Sequence, residues 1–455
     1  ITLYQLPNFH RFYLNITKQY AAKCYKTIPL SLCYINTMFI RFLIFFILIL
    51  LVELYFLQAL KTISVDYTPQ KRKILFWVAY SLAGINILIS TVAMFYPPPE
   101  WNSTLRFISS VALILFVCKL IGSSFLLIDD VIRLFRWIAS LFNKVPKHSI
   151  EESANQISRL KFLSYLAVTF TVIPAFSFLY GMVRGAYKYR VHKVKVTSPN
   201  LPEAFDGFKI VQLSDMHCGS FMSSDPLIKA FNIVMDQKPD AIFFTGDLVN
   251  NEATETEMHL ETYKMLKAPY GVYSILGNHD YGDYKQWETP EAKIQNLDTL
   301  KDIQKQSGWR LLMNEHVPIE KDGQKIALLG IENWGGNLRF PRYGKLDNAH
   351  AGTEGYPFKI LLSHDPSHWD VQVSQEQKYN DIDLTLSGHT HGMQFGIEIP
   401  GLIKWSPVKY IYKHWAGLYK QENQYLYVNR GLGFLGYPGR LGIWPEITVI
   451  ELKKA

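Results

Sequence analysis

Five short segments in the C-terminal half of this 455-residue chain carry side chains that bind divalent metal ions in proteins. They are Asp215-Met216-His217, Gly246-Asp247, Gly277-Asn278-His279-Asp280, Ser363-His364 and Gly388-His389-Thr390-His391. Carboxylate and amide oxygens mixed with imidazole nitrogens suit borderline divalent ions such as Mn²⁺, Fe or Zn²⁺. One Asp between two His-rich groups can bridge a pair of ions. The pattern therefore predicts a site for two metal ions.

Each of the five segments follows an apolar run rich in β-branched residues. The runs are Lys209–Leu213, Ala241–Phe244, Val272–Leu276, Ile360–Leu362 and Ile382–Leu386. Strands placed this way bring the polar residues that follow them to one edge of a sheet, where functional residues commonly lie on loops. The clearest helices of the early part are predicted at Leu227–Gln237 and Glu255–Leu266. Hydrogen-bonded polar residues at strand ends would explain each segment alone, but not the whole set.

The succession D-x-H, GD, GNH(D/E), a lone H and GHxH resembles the calcineurin-like metallophosphoesterase superfamily, over roughly Asp206 to Leu452. Any one motif is weak, but the complete and ordered set is strong. The resemblance implies an α/β fold in which two packed sheets are flanked by helices, a four-layer α/β sandwich. It also implies an enzyme that hydrolyses phosphoester or pyrophosphate bonds with two divalent ions, such as a phosphodiesterase.

The resemblance assigns roles to individual residues. Asp215, His217 and His391 match the ligands of one metal ion, and Asp247 matches the bridging ligand. The ligands of the other ion are matched by Asn278, His364 and His389. His279 matches a histidine that steadies the phosphate and protonates the leaving oxygen, so His279 and Asp247 are the expected catalytic residues. Asp280 is expected to orient its loop without binding metal.

The implied reaction explains these residue types. A phosphate ester is anionic and repels hydroxide, so the site must form a nucleophile near neutral pH and offset phosphoryl charge, which a pair of ions does. The leaving alkoxide still needs a proton, and a histidine beside the ions can supply it.

Charge divides the chain into two different parts. Residues 1–200 hold 22 Lys and Arg against 7 Asp and Glu, whereas residues 201–455 hold 25 against 32. The basic pI therefore arises in the N-terminal part, and no nucleic-acid partner is expected for the acidic catalytic part.

Four N-terminal stretches are long and apolar enough to cross a bilayer, which takes about 20 residues. They are Phe39–Leu60, Ile74–Tyr96, Phe107–Ile128 and Phe162–Met182. Apolar residues surround every face, so a multi-pass membrane protein is expected and buried soluble helices are disfavoured. Lys119, inside the third stretch, is expected to snorkel or to pair within the bundle. Val131–Asn143 is expected to form a helix in the membrane interface.

Basic residues in the links indicate an orientation. The first link holds Lys61, Lys71, Arg72 and Lys73, and the third holds Arg133, Arg136, Lys144, Lys147, Arg159 and Lys161. The second link, around Pro97–Trp101, holds none until Arg106. The positive-inside rule then places the catalytic domain outside the cytoplasm. Five basic residues directly after the fourth stretch, beginning with Arg184, favour the opposite side.

The remaining boundaries follow from composition. Residues 1–37 lack a signal-peptide pattern and are expected to be a non-native or disordered extension, since the first methionine is Met38. Residues 38–185 form the expected membrane region, 186–202 a polar linker and 203–455 the catalytic domain. The cysteines, Cys24, Cys33, Cys118 and Cys218, have no metal-type spacing, and a disulfide framework is excluded for the catalytic half.

The C-terminal segments bear on the substrate. Asn429–Gly433 and Arg440 resemble a membrane-anchored subgroup that includes enzymes cleaving UDP-2,3-diacylglucosamine, and Asn278, His279 and Arg440 are the candidate substrate-binding residues. The chain departs from that subgroup at Met393, where a second glycine is usual, which puts the loop's backbone freedom in doubt. The aromatic segment Ile397–Tyr419 is either a packed surface loop or a lip that reaches the lipid headgroups.

Three functions remain open from the sequence. The first is an enzyme acting on a lipid-linked phosphate or nucleotide-lipid, with the bilayer as its partner. The second is a tethered phosphodiesterase for soluble substrates. The third is a membrane sensor that binds metal or nucleotide without turnover, which the intact His279 disfavours.

Overall fold

A computed structural model describes residues 30–95, 103–142, 158–337, 340–399 and 401–455. The chain divides into two compact units, with the boundary between Leu179 and Tyr180. Three expectations lie outside the described residues: most of the N-terminal extension, the second link around Pro97–Trp101, and the basic residues Lys144 and Lys147.

Four long helices come first, α1 (Leu30–Ile63), α2 (Pro69–Phe95), α3 (Ser103–Phe142) and α4 (Arg159–Val183). They form the first unit, apart from the last four residues of α4, which belong to the second. All four are long and apolar enough to cross a membrane. Each overlaps one expected span, but α1 begins nine residues before its span and α3 ends fourteen residues after its span. Helix α1 begins inside the segment expected as an extension. Helix α3 continues to Phe142 without a break, so the expected interfacial helix is not a separate element.

Two polar side chains inside the helical unit pair with one buried glutamate. The Nζ of Lys119 on α3 lies 2.6 Å from Oε2 of Glu53 on α1. The side-chain amide of Asn86 on α2 donates to Oε1 of the same glutamate at 2.9 Å. Pairing of this kind lowers the cost of charges in an apolar environment. The pairing of Lys119 within the bundle is therefore confirmed, and the contacts join α1, α2 and α3.

The second unit is built from strands connected by helices and loops. The strands are β1 (Arg190–Ser198), β2 (Lys209–Leu213), β3 (Ala241–Phe244), β4 (Val272–Ser274), β5 (Arg310–Leu311), β6 (Glu315–Lys321), β7 (Gln324–Gly330), β8 (Lys359–Leu362), β9 (Leu384–Ser387), β10 (Ile397–Ile399), β11 (Ile403–Trp405), β12 (Gly417–Gln421), β13 (Gln424–Val428) and β14 (Glu446–Lys454). The α-helices are α5 (Asp225–Asp236), α6 (Leu260–Tyr263), α7 (Pro290–Gln306) and α8 (Leu346–His350).

The strands form two six-stranded sheets and one ribbon. The first sheet has the order β1-β14-β2-β3-β4-β5, the second has the order β12-β13-β9-β8-β7-β6, and β10 pairs with β11 alone. Neighbours among β2, β3 and β4 run parallel, as do β8 and β9. Parallel strands bring their carboxyl ends to a common edge, and all five metal-type segments follow these strands.

Alternating side chains build three apolar layers. Ile210 and Ile360 lie between the two sheets with Phe243 and Leu386. On the outer face of the first sheet, Val211 and Leu213 pack with Leu227 and Phe231 of α5 and Leu300 of α7. On the outer face of the second, Leu361 packs with Leu346 and Ala349 of α8 and with Trp369. Helices therefore cover both outer faces, and the predicted four-layer α/β sandwich is confirmed.

Two local expectations differ from the structure. The segment expected as a linker, 186–202, contains β1, which pairs in parallel with β14 along its whole length. This partner lies far along the chain, so composition could not reveal it. The helix expected at Glu255–Leu266 is a 3₁₀ helix, Ala253–His259, followed by one turn of α-helix. Glu255 turns back to accept from the backbone N–H groups of Asn250 and Asn251, which tightens this turn.

Candidate metal centre

The loops after β2, β3 and β9 bring one group of ligand atoms together. Asp215, His217, Asp247 and His391 are all buried, and their nearest ligand atoms lie within 4.8 Å of one another. Nε2 of His217 lies 3.0 Å from Nε2 of His391, and His391 Nε2 lies 3.2 Å from Asp215 Oδ1. These atoms point at one shared focus, which could hold a cation.

A second group forms beside the first. Asp247, His364 and His389 have ligand atoms within the same range. Oδ1 of Asn278 lies 2.7 Å from His389 Nδ1 and 3.2 Å from His364 Nε2. Asp247 Oδ2 lies 3.2 Å from His364 Nε2 and 3.5 Å from His217 Nε2. One carboxylate oxygen therefore faces both groups.

The charge state of the cluster suits a divalent cation. Burial lowers the pKa of His217 to about 3 and holds the pKa of His391 well below its usual value, so both imidazoles stay neutral with lone pairs available. Burial also opposes charge on His364, but the charge of Asp247 outweighs it and raises the pKa of His364 to about 10. The buried carboxylate thus attracts positive charge, and the donor set fits a metal ion.

Backbone conformation at this edge is unusual. Asp215, His217, Asp247, His389 and His391 all have positive φ angles, between 45° and 70°. Left-handed backbone costs a residue with a side chain roughly 1–2 kcal/mol and tends to mark functional sites. Met393, at the position where a glycine was expected, also adopts the left-handed region at φ 55°. The side chain of Met393 therefore does not prevent a left-handed backbone at this position.

Contacts behind the ligands fix their orientation. The outer nitrogens of the imidazoles lie close to acceptors: His217 Nδ1 is 3.1 Å from Val249 O, and His364 Nδ1 is 2.7 Å from Thr245 O. For His389, Nε2 is 2.7 Å from the hydroxyl of Tyr412. Partners of this kind hold metal-ligating histidines in position. The sequence did not single out Tyr412 for this contact, although it lies in the aromatic segment.

Asp280 organises the loop that carries Asp247. Its two carboxylate oxygens accept from the backbone N–H groups of Asp247, Leu248, Val249 and Gly277 at 2.8–3.3 Å. Burial and the neighbouring charge of Asp247 raise the pKa of Asp280 to about 7, while the four donors favour its ionised form. Its side chain points at the backbone, and it belongs to neither ligand group.

His279 stands beside the two groups. Its backbone N–H donates to Asp247 Oδ1 at 2.9 Å, and its Nδ1 lies 2.7 Å from the carbonyl oxygen of Asn250. Its ring packs at 4.6 Å between centroids against Tyr284, whose hydroxyl accepts from the side-chain amide of Asn278 at 2.8 Å. Tyr284 was also not singled out by the sequence. With Nδ1 engaged, Nε2 is the ring atom of His279 available for proton exchange.

The structure does not place Arg440 where it could bind substrate. Its side chain is fully buried (0% exposed), and its guanidinium donates to Gly433 O at 2.6 and 2.8 Å and lies 3.4 Å from His391 Nδ1. The substrate-binding expectation for Arg440 is therefore replaced by a supporting position behind His391. A sequence cannot distinguish these roles, because both use an arginine near the site.

Comparison with known proteins identifies the family. A model described as calcineurin-like phosphoesterase matches residues 208–393, and one described as the probable transmembrane domain of calcineurin-like phosphoesterases matches residues 38–186. The Bacillus subtilis protein named uncharacterized metallophosphoesterase YkuE is 31% identical over 279 residues, which cover 60% of this chain and 90% of that protein.

Two further relatives extend the comparison. A Danio rerio protein named transmembrane protein with metallophosphoesterase domain is 32% identical over 295 residues, covering 62% of this chain and 62% of that protein, less than two thirds of its length. The Escherichia coli phosphodiesterase YaeI is 26% identical over 301 residues, covering 65% of this chain and 99% of that protein. The chain belongs to the calcineurin-like phosphoesterases, as a metallophosphoesterase with a membrane region.

Proposed function

We propose that this membrane metallophosphoesterase has a dinuclear centre and hydrolyses phosphoester or pyrophosphate bonds of lipid-linked substrates. The observation that carries the dinuclear centre is the position of Asp247 Oδ2, within 3.5 Å of ligand nitrogens from both groups. One ion would be held by Asp215, His217 and His391. The other ion would be held by Asn278, His364 and His389, and Asp247 would contact both ions. When bound, the ions would acidify water and offset phosphoryl charge.

His279 is the proposed proton donor. Hydrogen bonding of Nδ1 to Asn250 O and packing against Tyr284 fix the ring, so a proton held at Nε2 can be delivered to the leaving oxygen. Asn278 and His279 also line the space beside the ligands, where they would contact the phosphate. Removing a general acid typically lowers the rate about 10²–10⁴-fold.

The membrane region supports a lipid-linked substrate. A hydrolase for soluble esters does not need four helices long enough to cross a bilayer, whereas a lipid phosphate is confined to the membrane surface. The basic residues of the first and third links support an extracytoplasmic catalytic domain. A reporter that is active only outside the cytoplasm, fused after Ala455, should then work, and activity of a cytoplasmic reporter alone would contradict this orientation.

The function is tested with the purified full chain. After its metal ions are removed by chelation, the protein should regain activity when Mn²⁺ is added. The substrates assayed form a panel of lipid phosphates, nucleotide diesters and p-nitrophenyl esters. Asp247→Asn should lose at least one ion and most of the rate. His279→Ala should keep its ions and lose more rate on alkoxide-like leaving groups than on p-nitrophenolate, which needs a proton less.

Controls separate the possible failures. His350→Ala removes a histidine of α8 that pairs with Asp381 and belongs to neither ligand group, and it should leave the rate unchanged. Hydrolysis of soluble diesters but no lipid phosphate would reject the lipid-linked substrate. Binding of metal without hydrolysis of any ester in the panel would reject the enzyme and favour a sensor.

A further inference from the structure

Exposed apolar side chains in the catalytic unit concentrate in one short segment. Among the described residues from Arg190 onward, twelve large apolar side chains are exposed, and six of them lie between Ile397 and Ile411. We name residues 397–399 and 401–412 the lip. Leu402 and Tyr410 are the most exposed of the six, each at 74%. Contiguous exposed apolar surface marks an interaction site more often than scattered residues do.

The ribbon of the lip has its apolar face turned outward. Ile397 pairs with Trp405, Glu398 with Lys404, and Ile399 with Ile403. Successive pairs point to opposite faces of a ribbon, so the four apolar residues share one face and the charged pair occupies the other. A soluble protein normally packs the apolar face of such a ribbon on its core. Here the isoleucines are exposed instead.

The charged face is fastened to the domain. Glu398 accepts two bonds from the guanidinium of Arg430, at 2.5 and 3.0 Å, and Arg430 also pairs with buried Glu446 at 2.5 Å. Lys404 donates to the carbonyl oxygen of Ala416 and lies 5.1 Å from the ring centroid of Trp415. These contacts fasten the charged pair to the domain, although Lys404 itself stays exposed, and they leave the isoleucines of the other face available.

The base of the lip is joined to the loop that carries two ligand histidines. The hydroxyl of Ser406 donates to Gly392 O at 2.7 Å. Three residues beyond the lip, Trp415 O accepts from the hydroxyl of Thr390 at 2.7 Å. Tyr412, at the end of the lip, contacts His389 at 2.7 Å. Whatever the lip binds is therefore held close to the candidate metal centre.

We propose that the lip inserts into the headgroup region of the bilayer that carries the chain's own helices. The family and the four apolar helices make this a membrane protein, so the catalytic unit is tethered to a bilayer, which is the apolar phase that the lip would meet. Exposed isoleucine, leucine and tyrosine flanked by Lys409 and Lys413 form the composition of an interfacial element, since lysines beside inserted apolar residues meet anionic headgroups. Delivery of a lipid phosphate to the centre rests on the proposed function, but insertion does not.

The test is photo-crosslinking of the full chain in vesicles of phosphatidylcholine and phosphatidylglycerol. Leu402 and Ile411 are replaced, one at a time, by p-benzoylphenylalanine, and the adducts are identified by mass spectrometry. Ile294 on α7 is the matched control, because it is 62% exposed and Ile411 is 61% exposed. Both lip positions should give lipid adducts several-fold more often than position 294.

The crosslinked products distinguish the proposal from its alternatives. Crosslinks to a second copy of the chain would overturn the proposal and make the lip a dimer contact. Lipid adducts no more frequent than at position 294, or no adducts at all, would also overturn it. The two positions are read independently, so one poorly folded variant does not decide the outcome. Crosslinking needs no turnover, and its result is therefore separate from that of the hydrolysis panel.

Discussion

Replacing Asp280 by asparagine weakens the hydrogen bonds that hold the Asp247 loop, but it leaves the carboxylate of Asp247, the proposed bridging ligand, in place. Oδ2 of Asp280 accepts from the N–H groups of Asp247 and Gly277, and Oδ1 accepts from those of Leu248 and Val249. An amide keeps one acceptor oxygen and turns a donor toward the other two N–H groups. Two hydrogen bonds to a charged group are lost, at about 1.5–3 kcal/mol each, so the free energy of unfolding should fall by roughly 3–6 kcal/mol.

The same change should weaken metal binding. Because Asp280 fixes the backbone of Asp247, its loss should lower Mn²⁺ affinity roughly 10–100-fold, as for other residues that orient a ligand. Mn²⁺ binding by calorimetry and denaturant unfolding of the full chain in detergent, at about pH 8 and so above the raised pKa of Asp280, measure both effects.

A surface carboxylate provides the control for this variant. Asp298→Asn removes a 60% exposed side chain that pairs with Lys301 on α7, and it should change stability by less than about 1 kcal/mol. An Asp280→Asn protein with wild-type Mn²⁺ affinity and unchanged unfolding would refute the assignment of Asp280 as the support of Asp247.

Two further predictions concern close packing and pH. Gly388→Ala would place its Cβ against Asp215 Oδ2, so the metal content measured by elemental analysis should fall. The control variant, Gly355→Ala, places its Cβ in open space and should keep its metal. Equal metal content in the two variants would contradict the packing argument. Burial opposes charge on Glu446, but Arg430 outweighs it and lowers the pKa of Glu446 from 4.5 to about 2. A lowered folded pKa gives stability that is present above about pH 4.5 and lost as the pH falls toward 2, about 3 kcal/mol in all. Glu446→Gln should remove this part of the pH dependence in urea unfolding, and an unchanged slope would contradict it.

The grouping of the candidate ligands could be predicted because local sequence and topology agree. Each ligand follows an apolar run, and parallel strands bring their carboxyl ends together within each sheet. The packing of the two sheets then brings Asp215, after β2, to His389, after β9. The boundaries of strands and linkers were harder to predict from the sequence. Strand β1 was expected as a linker because its only partner in the sheet is β14, and such a pairing leaves no mark in local composition.

Contacts between distant segments account for what the sequence missed. Tyr412 reaches His389, and Arg440 is buried behind His391, only because the chain folds back after β9. The direction in which the ribbon β10–β11 turns is likewise set by Arg430, which holds Glu398. Alternation of Ile397, Glu398 and Ile399 identifies two faces but not which of them is covered.

The central claim is that Asp247 is shared by two ions. Electron paramagnetic resonance of the full chain titrated with Mn²⁺ tests it most directly, because ions joined through one carboxylate oxygen exchange-couple, whereas separate ions do not. We predict that the spectrum of isolated Mn²⁺ is replaced, as the second site fills, by a richer pattern of more closely spaced lines, and that Asp247→Asn abolishes this pattern. A spectrum that stays that of isolated Mn²⁺ up to saturation would contradict the shared centre.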